Sequence, residues 1–135
     1  MKILVIDDDP AMTDLLEILL GSISSEIVAA NSGQEGLEKA KAINPDIIIL
    51  DVMMPDFDGC QLCTKIREFS KTPILILSAL DSPGLVAQVL DAGADDYLVK
   101  PVTRNLLIAH LNRLITRSIK NKKHTQRISV PSHPN

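Results

Sequence analysis

The chain has 135 residues, the size of one globular domain, and its 45% hydrophobic and 23% charged residues exclude a disordered or coiled-coil protein. The formal net charge of -3 conceals an asymmetry, because residues 1–96 hold 17 Asp/Glu against 6 Lys/Arg while residues 97–135 hold 8 Lys/Arg and no acid: an acidic body with a basic end. No aliphatic run approaches the roughly 20 residues of a spanning helix, the apolar stretch before Asp7 is too short for a signal peptide, and one Tyr, two Phe and no Trp exclude the stacking platforms of single-strand and RNA binders.

A cytoplasmic location is therefore expected. Short aliphatic runs alternate with longer amphipathic segments, the pattern of a parallel α/β sheet whose crossovers are helices. The first strand is Lys2–Ile6. Asp9-Pro10 then supplies a cap and a proline at the first helical position, Met12, Leu15, Leu16, Leu19 and Leu20 recur at helical spacing, and Gly21 closes the helix. A second strand spans Glu26–Ala29, and Ser32 with Glu35 reads as a capping box for a helix through Leu37 and Ala40, ended by Asn44-Pro45.

The third strand is Asp46–Leu50, followed by a helix opened by Asp58-Gly59 with Leu62 and Ile66 turned inward. The fourth is Pro73–Leu77, with Ser82-Pro83 repeating the cap and proline. A short fifth strand lies at Tyr97–Val99, and the last helix runs from Thr103 to Arg117 on a stripe of Leu107, Ile108, Leu111, Leu114 and Ile115. Strands one, three and four are apolar on both sides of the pleat, as required when helices cover both faces. Residues 118–135 are polar and basic, with Pro131 and Pro134, and are expected to form a disordered tail or an interdomain linker.

In an open parallel sheet the ligand crevice lies beyond the carboxyl ends of the strands. Those ends carry Asp7 and Asp8, Asp51, Ser78 and Lys100. Asp9 is assigned to the helix cap, leaving Asp7 and Asp8 free for the crevice. Clustered carboxylates repel one another and are tolerated where a cation neutralises them; an oxygen-only donor set favours a hard ion, with Mg2+ the expected one.

The segments Ile3–Asp8 (ILVIDD), Asp46–Gly59 (DIIILDVMMPDFDG), Ile74–Ala79 (ILILSA) and Gly93–Pro101 (GADDYLVKP) together resemble the receiver domain of two-component response regulators, over residues 1–117. The resemblance implies a doubly wound, flavodoxin-like sheet of five strands in the order 2-1-3-4-5 with five helices. It implies that Asp51 is the phosphoacceptor, modified to an aspartyl phosphate by a histidine kinase or phosphotransfer protein. Asp7, Asp8, Asp51 and the backbone carbonyl of Met53 are then the Mg2+ ligands, Asp7 acting through water. Lys100 stabilises charge on the phosphoryl oxygens, a cis peptide bond precedes Pro101, and Ser78 and Tyr97 form the conformational switch. Such a chain is a signalling phosphoacceptor and not an enzyme in its own right.

Other chemistries fit less well. Cys60 and Cys63 form a C-x-x-C at a helix start, yet no further pair of ligands lies at zinc spacing, and Cys63 is assigned to packing as a partly buried residue. A haloacid-dehalogenase-type phosphatase would want a second aspartate two positions after the nucleophile, where this chain has Met53. A flavin binder would want aromatic stacking residues. By the same resemblance Met53 and Leu80 flank the path of the hydrolytic water, and neither orients one, so slow self-dephosphorylation is expected.

The GADDYLVKP stretch and the last helix look most like receivers of the OmpR/PhoB group, which dimerise through helix four, strand five and helix five. This chain departs from that pattern with Leu106 and His110 where the group has an acid and an arginine, and with Val86 and Gln88 on helix four. A homodimer through that face is expected to be more apolar than usual, if formed. Two outputs remain open: a receiver preceding a DNA-binding domain, or a stand-alone receiver acting by docking or phosphorelay. Lys120, Lys122, Lys123 and Arg127 are expected to be solvated rather than bound to nucleic acid.

Overall fold

The computed structural model describes residues 1–129. Five strands, β1 (Lys2–Ile6), β2 (Glu26–Ala30), β3 (Ile47–Leu50), β4 (Ile74–Ser78) and β5 (Asp96–Val99), alternate with five helices, α1 (Pro10–Leu20), α2 (Gly33–Ile43), α3 (Gly59–Arg67), α4 (Pro83–Asp91) and α5 (Arg104–Ser129). All strand pairs are parallel, in the order β2-β1-β3-β4-β5, as the resemblance implies.

The pleat divides the core into two layers. Leu4, Ile6, Ile48, Leu50, Ile74 and Ile76 pack on one face with Leu62 and Ile66 of α3 and Val89 of α4. Ile3, Val5, Ile47, Ile49, Leu75 and Leu77 pack on the other with Leu16 and Leu20 of α1 and Leu107, Leu111 and Leu114 of α5. A period of two along each strand is enough to send alternate residues to opposite layers. Every residue of β3 and β4 is buried, which is why these runs read as continuously apolar.

Several local expectations are corrected. Leu15, one of the leucines at helical spacing on α1, is 45% exposed, while the buried stripe is Thr13, Leu16 and Leu20. Gly21 does cap α1 but in a right-handed conformation, so its lack of a Cβ is not what ends the helix. Ser32 accepts from the Glu35 N–H at 3.0 Å, but the Glu35 carboxylate reaches one residue further back, to the Asn31 N–H at 2.6 Å. A complete capping box stands instead at α3, where Asp58 and Gln61 bond each other's backbone N–H groups. Asn44 ends α2 in the left-handed region at φ 47°, a conformation asparagine tolerates better than most residues.

The helix expected to stop at Arg117 runs on to Ser129. Residues 118–129 hold no proline or glycine and include the good helix formers Lys120, Lys122, Lys123, Gln126 and Arg127, so polarity alone was no reason to end it. The expected disordered tail is therefore helical over 118–129, while 130–135 lie outside the described residues.

Gly36 lies where α2 crosses β1; a Cβ built on it would sit 2.6 Å from Cδ1 of Ile6. Alanine is intrinsically the better helix former by about 0.5–1 kcal/mol, but overpacking a tight core costs about 1–3 kcal/mol. Gly36→Ala is therefore expected to lower the urea midpoint at constant m-value, and Ile6→Val in the same chain to recover part of the loss. A raised midpoint for the single variant would show that Ile6 moves aside freely.

Candidate functional site

The sheet ladder continues one residue past the strand ends and so fixes the backbone of the acids. The Asp7 N–H donates to the Ala30 carbonyl, the Asp51 N–H to the Ile6 carbonyl, and the Lys100 N–H to the Ser78 carbonyl, at 3.0, 3.0 and 2.8 Å. Asp7 and Asp51 are buried, at 3% and 7% exposure. Asp9 caps α1 by accepting from the Ala11 N–H at 3.0 Å, as expected, and its own N–H donates to Asp7 Oδ1 at 3.0 Å.

Lys100 bridges the two buried acids. Its Nζ lies 3.0 Å from Asp7 Oδ2 and 3.2 Å from Asp51 Oδ2. The remaining Asp51 oxygen accepts from the Met53 N–H at 3.1 Å, so each Asp51 oxygen has a donor. Burial raises the Asp7 carboxyl above its ordinary range, an effect that its hydrogen bonds to Asp9 and Lys100 reduce without cancelling. Burial alone would lower the Lys100 ammonium, but its hydrogen bond to Asp7 and the Asp51 charge outweigh it and hold the group above its ordinary value.

The exposed Asp8 completes the acidic group: one carboxylate oxygen from each of Asp7, Asp8 and Asp51 lies within 4.8 Å of the others. Three converging oxygen donors and no sulfur or nitrogen fit a hard divalent cation such as Mg2+. Among the described residues this arrangement is the acidic group the sequence points to.

The predicted switch residues adjoin it. Ser78 ends β4 fully buried, its Oγ accepting from the Leu80 N–H at 3.2 Å. Tyr97 pairs with Ile76 across the sheet, packs half-buried against the core and donates its hydroxyl to the Leu80 carbonyl at 2.7 Å. The Lys100–Pro101 bond is cis. Met53 and Leu80 are 51% and 37% exposed, two apolar side chains at the rim.

Three features were not anticipated. Asp56 binds two backbone N–H groups of α2, Gly33 and Gln34, each at 2.9 Å. Asn31 donates its side-chain amide to the Asp7 carbonyl at 2.8 Å. Asp96 receives both His110 and Arg113 of α5, each at 2.5 Å; burial would raise its carboxyl, but the bonds from His110, the Tyr97 N–H and Arg113 prevail and lower it. Single side-chain bonds between residues this far apart in sequence leave no periodic trace.

Cys63 is fully buried rather than partly, and burial pushes its thiol up to about 12. Cys60 is half-buried, its thiol also raised by burial and by Asp58. Neither has the depressed pKa of a reactive dithiol.

Residues 3–112 match the family described as the response regulator receiver domain. The chain is 38% identical over 119 residues to the transcriptional regulatory protein TrcR of Mycobacterium tuberculosis, covering 87% of this chain and 46% of that protein. It is 41% identical to the response regulator MprA of Mycobacterium leprae, covering 87% of this chain and 52% of that protein. It thus spans about half the length of these relatives. A two-component response regulator from Clostridium difficile superposes with a TM-score of 0.82 at 30% identity, over 87% of this chain and 98% of that one. Among the described residues no helix is long and apolar enough to cross a membrane.

The raised Asp7 carboxyl has a thermodynamic consequence. Its folded pKa lies above its unfolded value, so the ionised group opposes folding; that opposition is absent below the unfolded pKa and complete once pH exceeds the folded one. In EDTA at pH 7, Asp7→Asn is expected to raise the urea midpoint, with the advantage shrinking as pH falls into the carboxyl range. A lower midpoint at pH 7 would mean that the Lys100 pair outweighs burial.

Proposed function

The chain belongs to the response regulator receiver domain family of two-component signalling, and from that premise we propose that Asp51 accepts a phosphoryl group from a histidine kinase or phosphotransfer protein. The observation that carries this reading is the meeting of Asp7, Asp8, Asp51 and Lys100 at one edge of the sheet.

An Asp51 carboxylate oxygen attacks phosphorus while the bond to the donor's imidazole nitrogen breaks, leaving an aspartyl phosphate. Lys100, held protonated by the two carboxylates it bridges, offers positive charge to the phosphoryl oxygens as they gain it. Asp7, Asp8, Asp51 and the Met53 carbonyl would hold Mg2+, which when bound supplies further positive charge against the same oxygens. The Ser78 hydroxyl, at the end of β4, turns from the Leu80 N–H to a phosphoryl oxygen. Its departure alters the β4–α4 loop on which Tyr97 is tethered, and the α4–β5–α5 surface changes with it. The chain catalyses only its own phosphorylation and dephosphorylation.

Output is assigned to an effector that reads this surface, whether in the same polypeptide or as a separate docking or relay partner; the relatives' names describe transcriptional regulators. Pairing of two copies through α4–β5–α5 would have to proceed without Asp96, whose carboxylate is engaged within the chain by His110 and Arg113. The partners assigned to this chain are proteins and not nucleic acids.

Incubation with a small phosphodonor is expected to label the wild type in Mg2+, and to leave both the EDTA sample and Asp51→Asn at background. Labelling of the Asn variant at the wild-type rate would remove Asp51 from its role. With apolar Met53 and Leu80 at the rim, the phosphorylated protein is expected to decay slowly and Met53→Asn to shorten its lifetime severalfold, as followed by loss of label after donor removal. An unchanged lifetime in that variant would sink the link between the rim and hydrolysis.

A further inference from the structure

The turn between β2 and α2 carries none of the residues assigned to phosphoryl transfer, yet it is bonded to both loops that do. Toward the β1–α1 loop, the Asn31 side-chain amide donates to the Asp7 backbone carbonyl at 2.8 Å and to Thr13 Oγ1 at 3.2 Å. Thr13 is itself buried and donates to the Pro10 carbonyl at 3.1 Å. Toward the β3–α3 loop, the Asp56 carboxylate takes the Gly33 and Gln34 N–H groups at 2.9 Å, one on each oxygen. Phe57 closes on the same turn so tightly that a Cβ on Gly33 would lie 2.5 Å from its ring.

We infer that this turn is a brace, with Asn31 and Asp56 as positioning residues that set the spacing between the Asp7–Asp8 loop and the loop following Asp51. The inference rests on the cation site proposed above. Neither residue touches the carboxylates of Asp7, Asp8 or Asp51 in any hydrogen bond described, so both act through backbone. Their common anchor is one short turn, which adds a further connection between the two acid-bearing loops beside the β1–β3 ladder and the Lys100 bridge.

The geometry sets this apart from helix capping alone. The α2 N-terminus already has its own cap, Ser32 to the Glu35 N–H. Asp56 adds two bonds from a different loop, spanning 22 and 23 residues of sequence. A carboxylate needed only to cap α2 could sit within the helix's first turn, whereas one placed three residues after Met53 also fixes the segment that presents the Met53 carbonyl. Bidentate acceptance restricts rotation as well as distance, since both oxygens must stay on adjacent N–H groups. The two N–H groups also hold the Asp56 carboxyl below its ordinary range, consistent with bonds made to the charged form.

Groups that orient metal ligands from behind typically change metal affinity or activity by about 10- to 100-fold, and because Asn31 and Asp56 touch none of the acid carboxylates, the effect here is assigned to affinity. The test titrates the metal-free full chain with MgCl2 by calorimetry and records its melting temperature in EDTA. Asn31→Ala and Asp56→Ala are each expected to weaken Mg2+ binding by about tenfold, the low end for such groups. Asp56→Asn, which keeps one acceptor oxygen, is expected to recover part of that loss. Phosphorylation by a small phosphodonor at saturating Mg2+ is expected to return to within about twofold of wild type, because the reacting groups are intact.

Ser82→Ala, which removes the α4 cap and none of the bonds to the turn, serves as the stability control: a lowered melting temperature with unchanged Mg2+ affinity is expected. Affinities within twofold of wild type in both Asn31→Ala and Asp56→Ala would overturn the brace. So would a weakening that Ser82→Ala reproduces at equal loss of melting temperature. A wild type that binds no Mg2+ at millimolar concentration would remove the cation site itself, and the brace with it.

Discussion

Burying like charges beside one another is the constraint on which the rest of this structure turns. Asp7 and Asp51 lie almost wholly out of water, Asp8 stands within reach, and a single ammonium serves the two buried acids. One cation cannot neutralise three anions, and removing carboxylates from water costs several kcal/mol each in effective terms before pairing offsets it. The arrangement persists because the strands beneath it are so apolar. Ile47 to Leu50 and Ile74 to Leu77 are buried on both faces, and at about 1.5–3 kcal/mol per fully buried large aliphatic side chain they outweigh a local penalty at their ends. Stability resides in the sheet and is spent at its rim.

The same constraint explains the connectivity. Only a parallel sheet brings the carboxyl ends of successive strands to one edge, and only with β1 and β3 adjacent do Asp7 and Asp51 stand side by side, their N–H groups in consecutive ladder bonds. Lys100 arrives from the far end of the order, two strands away from β3. Its side chain must cross the end of β4, passing Ser78, to reach both carboxylates. The lysine's length thus matches the sheet's spacing, and a shorter cation at position 100 would leave the acids unpaired.

What could be read in the sequence was what periodicity and end-residue chemistry encode. Alternating aliphatic runs, cap-proline pairs at Pro10 and Pro83, and polar residues terminating apolar strands placed Asp7, Asp8, Asp51, Ser78 and Lys100 at one edge. Strand boundaries slipped by single residues because ladder bonds, not composition, decide where pairing stops. Helical spacing alone did not separate the exposed Leu15 from the buried Leu16 and Leu20, because apolar identity does not establish burial, and Thr13 satisfies its own hydroxyl on the Pro10 carbonyl and so can face inward. The extension of α5 past Arg117 was missed because a polar, basic segment without glycine or proline is equally compatible with helix and coil. Asn31, Asp56 and the Asp96 contacts escaped for another reason: each joins residues remote in sequence through one side chain, and nothing local marks them.

The charge asymmetry of the chain acquires a mechanical reading from β5. That strand is four residues long, with Asp96 at its start, Tyr97 next and Lys100 immediately beyond its end. Asp96 is bound to α5 through His110 and Arg113, Tyr97 to the β4–α4 loop through its hydroxyl, and Lys100 to the acidic pocket. One short element therefore connects the acids of the first half to the helix that carries seven of the chain's fourteen Lys and Arg residues. A new dianionic group on Asp51 would compete with Asp7 for the Lys100 ammonium and draw the Ser78 hydroxyl proton toward itself, away from its present position beside the Leu80 N–H. Both changes act on β5 or on the loop holding Tyr97. On the proposed reading the signal reaches the surface through that strand, because Lys100, which pairs with Asp51, follows closely on Asp96 and Tyr97, which hold α5 and the β4–α4 loop.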